Sequence, residues 1–278
     1  MIWCGMGGYF RPSNLTDALT ALAGHGGMIP LAGGTDYYPA RVAGTRDETV
    51  LDLSALPGLR RIEVRPDHWW FPCLATWTDI AEAGLPPVFD GLKQAARQIG
   101  GVQIQNAGTL AGNVCNASPA ADGMPCLLAL DAAAELVSTE GTRMIAMDDF
   151  VQGSRKTARR PGELLLGIRI PRTAENARSV FLKLGVRRYM VISIVSIAAT
   201  IERGADGRVT RARIAVGSCA ATAKRLPALE AAIAGTPGGK VAIQDKHLTP
   251  LAPIGDIRAT AAYRRHAVAT LLHRVLAA

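Results

Sequence analysis

The segment from Val102 to Asp122 constrains this chain more than any other. It is rich in Gly, Asn, Ser and Ala and carries hardly any charge before Asp122. Such a composition makes a poor helix and a poor strand, and predicts an ordered loop whose backbone approaches something closely. Within it, Asn106-Ala107-Gly108-Thr109-Leu110-Ala111-Gly112-Asn113 has a counterpart earlier in the chain, Ala32-Gly33-Gly34-Thr35-Asp36. Glycines without a Cβ let a pyrophosphate come within reach of several backbone N–H groups at once. The apolar run Met28–Ala32 predicts a strand leading into the first loop. The cap-forming Thr35 and Asp36 predict a helix start after it, whose N-terminus would favour an anion. Neither loop spells G-x-G-x-x-G or G-x-x-x-x-G-K-S/T, so Rossmann and Walker readings fail on the letters. On spacing alone, tight turns that serve only packing account for both loops equally well.

Around these loops the chain alternates helix and strand signals. Ser13-Asn14-Leu15-Thr16-Asp17 followed by Ala18, Leu19 and Leu22 predicts a capped helix ending at Gly24, and Thr49–Leu53 reads as a strand. Leu59–Ala75 alternates about Pro66-Asp67 as a hairpin, and Pro86–Ile99 has helical spacing. Ala120–Ala134 predicts a helix, Glu135–Phe150 a hairpin turning at Glu140-Gly141, and Leu164–Ile168 a strand ended by Pro171. Residues 172–178 are polar and poorly periodic, and predict a domain boundary. Strands follow at Val180–Leu184, Val191–Ile201 and Thr210–Gly217, then helices at Leu226–Ala234 and Arg258–Leu276.

A length of 278 residues suggests two domains at about 100–200 residues each. At 49% hydrophobic and 19% charged, the chain can bury a sizeable core. The net charge of +8 suits an anionic ligand or an acidic partner. That charge is dispersed, its densest stretch (Arg155–Arg160) lacks interleaved aromatics, and aromatics are only 5% of residues, which argues against nucleic-acid binding. Cys4, Cys73, Cys115, Cys126 and Cys219 are widely spaced with no C-x-x-C pair, neither a disulfide framework nor a metal cradle. The N-terminal residues lack a signal-peptide pattern, and the uncharged run Met190–Ile201 is too short to span a bilayer and reads as a buried strand. A cytoplasmic protein is expected. His25, His68, His247, His266 and His273 are scattered and read as structural or exposed, and no metal site is expected.

Leu31-Ala32-Gly33-Gly34-Thr35-Asp36 resembles the flavin loop of the FAD-binding (medium) subunits of molybdenum hydroxylases, the family of xanthine dehydrogenases and carbon monoxide dehydrogenase. A longer signature follows in Thr109-Leu110-Ala111-Gly112-Asn113-Val114 and Asn116-Ala117-Ser118-Pro119-Ala120-Ala121-Asp122. Further matches run in order to the end of the chain: Arg11-Pro12, Asp149-Phe150, Glu163-Leu164-Leu165, Phe181-Leu182-Lys183, Arg187-Arg188, Asp256-Ile257-Arg258 and Tyr263-Arg264. The resemblance implies an α+β fold. A two-subdomain FAD-binding domain of PCMH type over residues 1–175 (subdomains about 1–56 and 57–175) precedes a C-terminal domain over 176–278, a three-stranded antiparallel sheet with helices.

By the same resemblance, FAD is the cofactor of this chain and does the redox chemistry, so no catalytic acid, base or nucleophile is expected. Ala32, Gly33, Gly34, Thr35 and Asp36 would supply backbone donors to its pyrophosphate, with the Thr35 hydroxyl added. Thr109, Gly112 and Asn113 would contact the phosphate and ribityl region, and Ser118 and Asp122 polar groups further along. Leu165 would pack an apolar side chain on the flavin or adenine, and Lys183 would place a cation near the pyrimidine end. Tyr189 reads as an ordinary loop aromatic, the alternative being a place against the isoalloxazine ring. Departures from the family pattern are Ala111 for a glycine, Gln105 for an arginine, and a missing acidic residue near Tyr189. The resemblance further implies a heterotrimer, assembled as a dimer of heterotrimers. Its large subunit would hold the molybdenum-pterin cofactor and its small subunit two [2Fe-2S] clusters, with electrons reaching an external acceptor through FAD. A free-standing flavoprotein and a scaffold with an empty flavin site are the alternative readings. Gly34→Val is expected to abolish FAD binding by placing a Cβ against the pyrophosphate while sparing the fold.

Overall fold

The computed structural model describes residues 8–41, 48–172, 177–237 and 241–277. The chain begins with β1 (Tyr9–Phe10), α1 (Leu15–Gly24), β2 (Ile29–Leu31) and β3 (Val50–Asp52). Asn14 caps α1 by accepting from the Asp17 amide at 2.9 Å, and Ala18, Leu19 and Leu22 form its buried stripe. The three strands make a parallel sheet in the order β1-β3-β2. Pro30 is tolerated because β2 is an edge strand, where a missing N–H breaks no ladder.

The next stretch supplies β4 (Glu63–Val64), β5 (His68–Pro72), α2 (Trp77–Glu82), α3 (Asp90–Ala96), α4 (Val102–Ala107), α5 (Leu110–Asn116) and α6 (Gly123–Ala129). It continues through β6 (Ala133–Ser138), β7 (Gly141–Ala146), α7 (Met147–Phe150), β8 (Val151–Gly153), β9 (Lys156–Thr157) and β10 (Leu164–Pro171). A five-stranded antiparallel sheet runs β4-β5-β10-β6-β7. At its centre the Glu135 carboxylate accepts from Arg169 Nη2 at 2.8 Å, Arg169 Nε at 2.9 Å and Trp70 Nε1 at 2.9 Å.

The Arg169 bonds hold the Glu135 carboxyl below its ordinary value of 4.5, with burial opposing and the Trp70 bond assisting. A depressed carboxyl stabilises the fold above its unfolded value and loses that contribution as pH falls through the folded one. Glu135→Gln is therefore expected to cost about 1–2 kcal/mol at neutral pH. Its stability should fall less steeply than wild type below about pH 4.5. Urea titrations near pH 7 and near pH 3.5 check this; parallel losses in the two proteins would contradict it.

The remainder contains β11 (Arg178–Leu184), β12 (Val195–Arg203), β13 (Val209–Gly217), β14 (Lys224–Arg225), α8 (Pro227–Ile233) and α9 (Ala261–Ala277). The sheet order is β11-β12-β13-β14, antiparallel throughout, so three long strands carry a two-residue fourth at one edge. This sheet is buried on both faces, which is why its central strands lack polar alternation. On one face Val195, Ile197, Ile214 and Val216 join Leu229, Val268 and Leu272 from α8 and α9 in a separate core. On the other, the small Ala198 and Ala215 belong to the larger core shared with α3 and α6. Small side chains let the helices approach; a Cβ on Gly217 would lie 2.8 Å from Pro125 of α6.

Polar contacts fasten the same joint. The Gly91 amide donates to Ser179 Oγ and the Phe181 amide to Gln94 Oε1, each at 2.8 Å. Asp131, at the corner before β6, pairs with Arg213 at 2.6 Å, Arg225 at 2.9 Å and Arg211 at 3.1 Å.

Several sequence expectations require correction. No α-helix follows Asp36 directly: the chain turns, with Tyr38 donating to the Gly34 carbonyl, and makes only a 3-10 turn at Pro39–Arg41. Pro39 has no N–H with which to start a regular ladder. The loop expected over Val102–Asp122 contains α4 and α5 instead. Gly108 ends the first in an extended conformation, and burial of Leu110, Ala111 and Val114 overrides the weak helix propensity of the second. The helix expected over Ala120–Ala134 is confined to Gly123–Ala129, and the strand expected from Val191 begins at Val195. Of the expected boundary over residues 172–178, residues 173–176 lie outside the described residues.

Candidate flavin site

The two glycine loops meet backbone to backbone. A Cβ built on Gly33 would lie 1.7 Å from the Ala107 carbonyl oxygen and 3.0 Å from Gly108 Cα, so nothing larger than glycine fits. The Thr35 hydroxyl lies above Gly108, 3.1 Å from where a Cβ would stand. The second loop is pinned in turn to the α2 entry, because Trp77 donates to the Gly108 carbonyl and Leu110 to the Ala75 carbonyl. Thr109 caps α5, its Oγ1 accepting from the Gly112 amide at 3.0 Å.

This arrangement leaves donors unspent. Among the described residues, the amides of Gly33, Gly34, Thr35 and Asp36 and the Thr35 hydroxyl make no hydrogen bond within the protein. Asn113 Oδ1 is buried without a partner. Consecutive free amides suit phosphate oxygens, and a buried oxygen without a partner suits a hydroxyl donor.

The other predicted residues divide. Ser118 Oγ accepts from the Ala120 amide at 3.3 Å, a local turn. Asp122 and Lys183 face each other at 2.8 Å with side chains 7% and 4% exposed. Ser193 donates to Asp122 at 2.6 Å, and Lys183 Nζ donates also to the Gln98 and Val191 carbonyls. Asp122 precedes α6 but makes no side-chain cap bond; its carboxylate is held by the lysine and serine. Leu165 is 3% exposed within the core, and its neighbour Leu166, at a β10 bulge, is only half-buried. Tyr189 is exposed, with the Arg188 guanidinium over its ring. Gln105 donates to the Arg97 and Ile99 carbonyls beyond α3, so its amide is spent on the protein.

Gly34 has φ +66°, and a Cβ there would stand 2.6 Å from the Tyr38 ring. A β-branched residue would strain the loop itself, so Gly34→Val cannot be expected to act through the ligand alone. Tyr38, Asn116 and Arg155, to which the sequence reading gave no role, are tied to the first loop. Arg155 reaches Asp36 across 119 positions, a pairing with no local sequence signal.

A concavity of about 240 Å³ near Leu22, Glu140 and Arg160 contains none of these residues and lacks their free amides. Burial pushes the Cys73 and Cys219 thiols up to about 12, which removes them as nucleophiles. Among the described residues no His, Cys, Asp and Glu cluster could hold a metal, and no helix is long and apolar enough to cross a membrane.

A family model described as the FAD binding domain in molybdopterin dehydrogenase matches residues 5–173, and one described as the CO dehydrogenase flavoprotein C-terminal domain matches residues 181–278. The chain belongs to the FAD-binding subunits of molybdopterin dehydrogenases. Such subunits include the carbon monoxide dehydrogenase medium chain of Afipia carboxidovorans, 30% identical over 96% of this chain and 94% of its own. The nicotine 6-hydroxylase medium subunit of Paenarthrobacter nicotinovorans is 29% identical over 96% and 95%. The reconstituted CO dehydrogenase structure from Oligotropha carboxidovorans superposes with a TM-score of 0.88 at 27% identity, covering 99% of this chain and 98% of that one. The chain is thus an oxidoreductase subunit of the xanthine dehydrogenase-like molybdenum hydroxylases and its cofactor is FAD. The free amides, the orphaned Asn113 oxygen and the side-chain-free contact at Gly33 fit that cofactor.

Proposed function

We propose that this chain is the electron-transfer subunit of a cytoplasmic heterotrimer, taking electrons from [2Fe-2S] clusters of a small partner subunit and passing them to an external acceptor. A large partner would hold the molybdenum-pterin site and select the substrate, in a dimer of heterotrimers. The relatives named as medium chains or medium subunits support this assembly. FAD, when bound, supplies the redox chemistry by accepting electrons singly and releasing them in pairs.

This chain's own residues bind and orient it. Gly33, Gly34, Thr35 and Asp36 offer their amides, and Ala32 delivers the turn that presents them. Thr109 and Gly112 shape the N-terminal end of α5, from which Asn113 offers its carbonyl oxygen. Ser118 would meet the cofactor's further reach, and Leu165, itself buried, would back the surface there. Asp122 and Lys183, locked together, orient the loop that carries Val191. The cofactor domain would comprise residues 1–175, in subdomains about 1–56 and 57–175, and the remaining domain 176–278; the family models, which leave 174–180 unmatched, support that division.

The observation that carries the reading is the row of unspent amides from Gly33 to Asp36, held against the second loop by the contact of Gly33 with Ala107. Its test is reconstitution with excess FAD followed by desalting. Absorption bands near ~370 and ~450 nm at about one flavin per chain are expected. A folded chain that stays colourless both alone and after co-expression with its partner subunits would overturn it.

A further inference from the structure

We propose that Arg155 is a positioning residue of the FAD site: it ties the first glycine loop to the far end of α5 and so sets the spacing between the two loops. The proposal rests on the flavin reading above. Arg155 stands between β8 and β9, and its amide donates to the Ala117 carbonyl at 2.8 Å. One guanidinium nitrogen, Nη1, donates to Asp36 Oδ2 at 2.9 Å, to the Asn116 carbonyl at 3.3 Å and to Asn116 Oδ1. Asp36 closes the first loop, and Asn116 is the last residue of α5, whose opposite end carries Thr109, Gly112 and Asn113.

A helix of two turns behaves as a short rod, so fixing its C-terminal end also fixes where Thr109, Gly112 and Asn113 stand. A cation at the C-terminal carbonyls also suits the helix dipole. Both Arg155 and Ala117 adopt left-handed backbone conformations, φ +58° and +46°, which non-glycine residues keep only where surrounding contacts hold them. The ion pair itself is 55% and 57% exposed, a setting in which such pairs contribute little to overall stability. Its consequence falls on geometry: the distance between the free amides of the first loop and the end of α5 that carries Asn113.

The test is an FAD titration of the full-length flavin-free chain, comparing wild type with Arg155→Met, Asp36→Asn, the double variant and Arg155→Lys. Each of the first two should bind FAD about five- to tenfold more weakly, because one charge-assisted tether is lost. The double variant should lose no more than the weaker-binding single one, since both cut the same tie. Arg155→Lys, retaining a cation and a donor, should recover part of the affinity. The thermal midpoint of the flavin-free chain should stay close to wild type throughout. Wild-type affinity in Arg155→Met, multiplicative losses in the double variant, or an affinity loss that tracks the thermal midpoint would each overturn the proposal. Failure of the wild-type chain to bind FAD would instead overturn the reading on which it rests.

Discussion

Gly33→Ala is expected to strip FAD from the chain. The added methyl would sit 1.7 Å from the Ala107 oxygen and 2.5 Å from its carbon. Both are backbone atoms, unable to rotate away, so the loops must part by more than an ångström. The free amides of residues 33–36 would then be displaced relative to Thr109, Gly112 and Asn113. Loss of two or more charge-assisted hydrogen bonds corresponds to about 3 kcal/mol, or about a hundredfold in dissociation constant. The flavin-free protein should also lose about 1–3 kcal/mol to overpacking. Gly24→Ala is the control, because no atom lies within 4 Å of a Cβ there and its φ is unexceptional. FAD titration and thermal denaturation of both variants decide the matter. Wild-type affinity in Gly33→Ala would show that the loop contact is not what shapes the site.

The second large effect is on stability. Lys183→Met leaves the Asp122 carboxylate buried beside Ser193 without its cation. Removing one member of a buried pair costs about 3–5 kcal/mol, because the remaining charge keeps its desolvation penalty and loses its attraction. Combining Lys183→Met with Asp122→Asn should restore a measurable part of that loss, since no net charge is then buried. The pair joins the start of α6 to β11, so the damage should appear at the joint between the two cores. Urea denaturation of the three proteins tests this. A Lys183→Met variant as stable as wild type would show that the pair does not fasten the joint.

Much of the fold was legible because it depends on local pattern. Asn14 before Leu19 and Leu22 marks a capped amphipathic helix, and Pro66-Asp67 between alternating runs marks a hairpin. The C-terminal strands are apolar runs because both faces of their sheet are covered. The sequence misread Val102–Asp122, where propensity argued for a loop. The helical state of α5 comes from a threonine cap and from burial of three apolar residues, and the latter cannot be counted without the neighbouring elements. The helix expected after Asp36 failed for the opposite reason: two capping residues were present, but Pro39 and the turn over Gly34 took the backbone elsewhere.

By itself, then, the sequence determined the glycine pattern, the letters of the family signature and hence the cofactor, since these depend on residues adjacent in the chain. Only the tertiary structure decided that Gly33 lies against Ala107, that Asp122 and Lys183 are spent on each other, and that Arg155 reaches Asp36. Each joins residues more than sixty positions apart, and pairings at that distance are chosen by packing and desolvation across the whole fold, which local spacing does not encode.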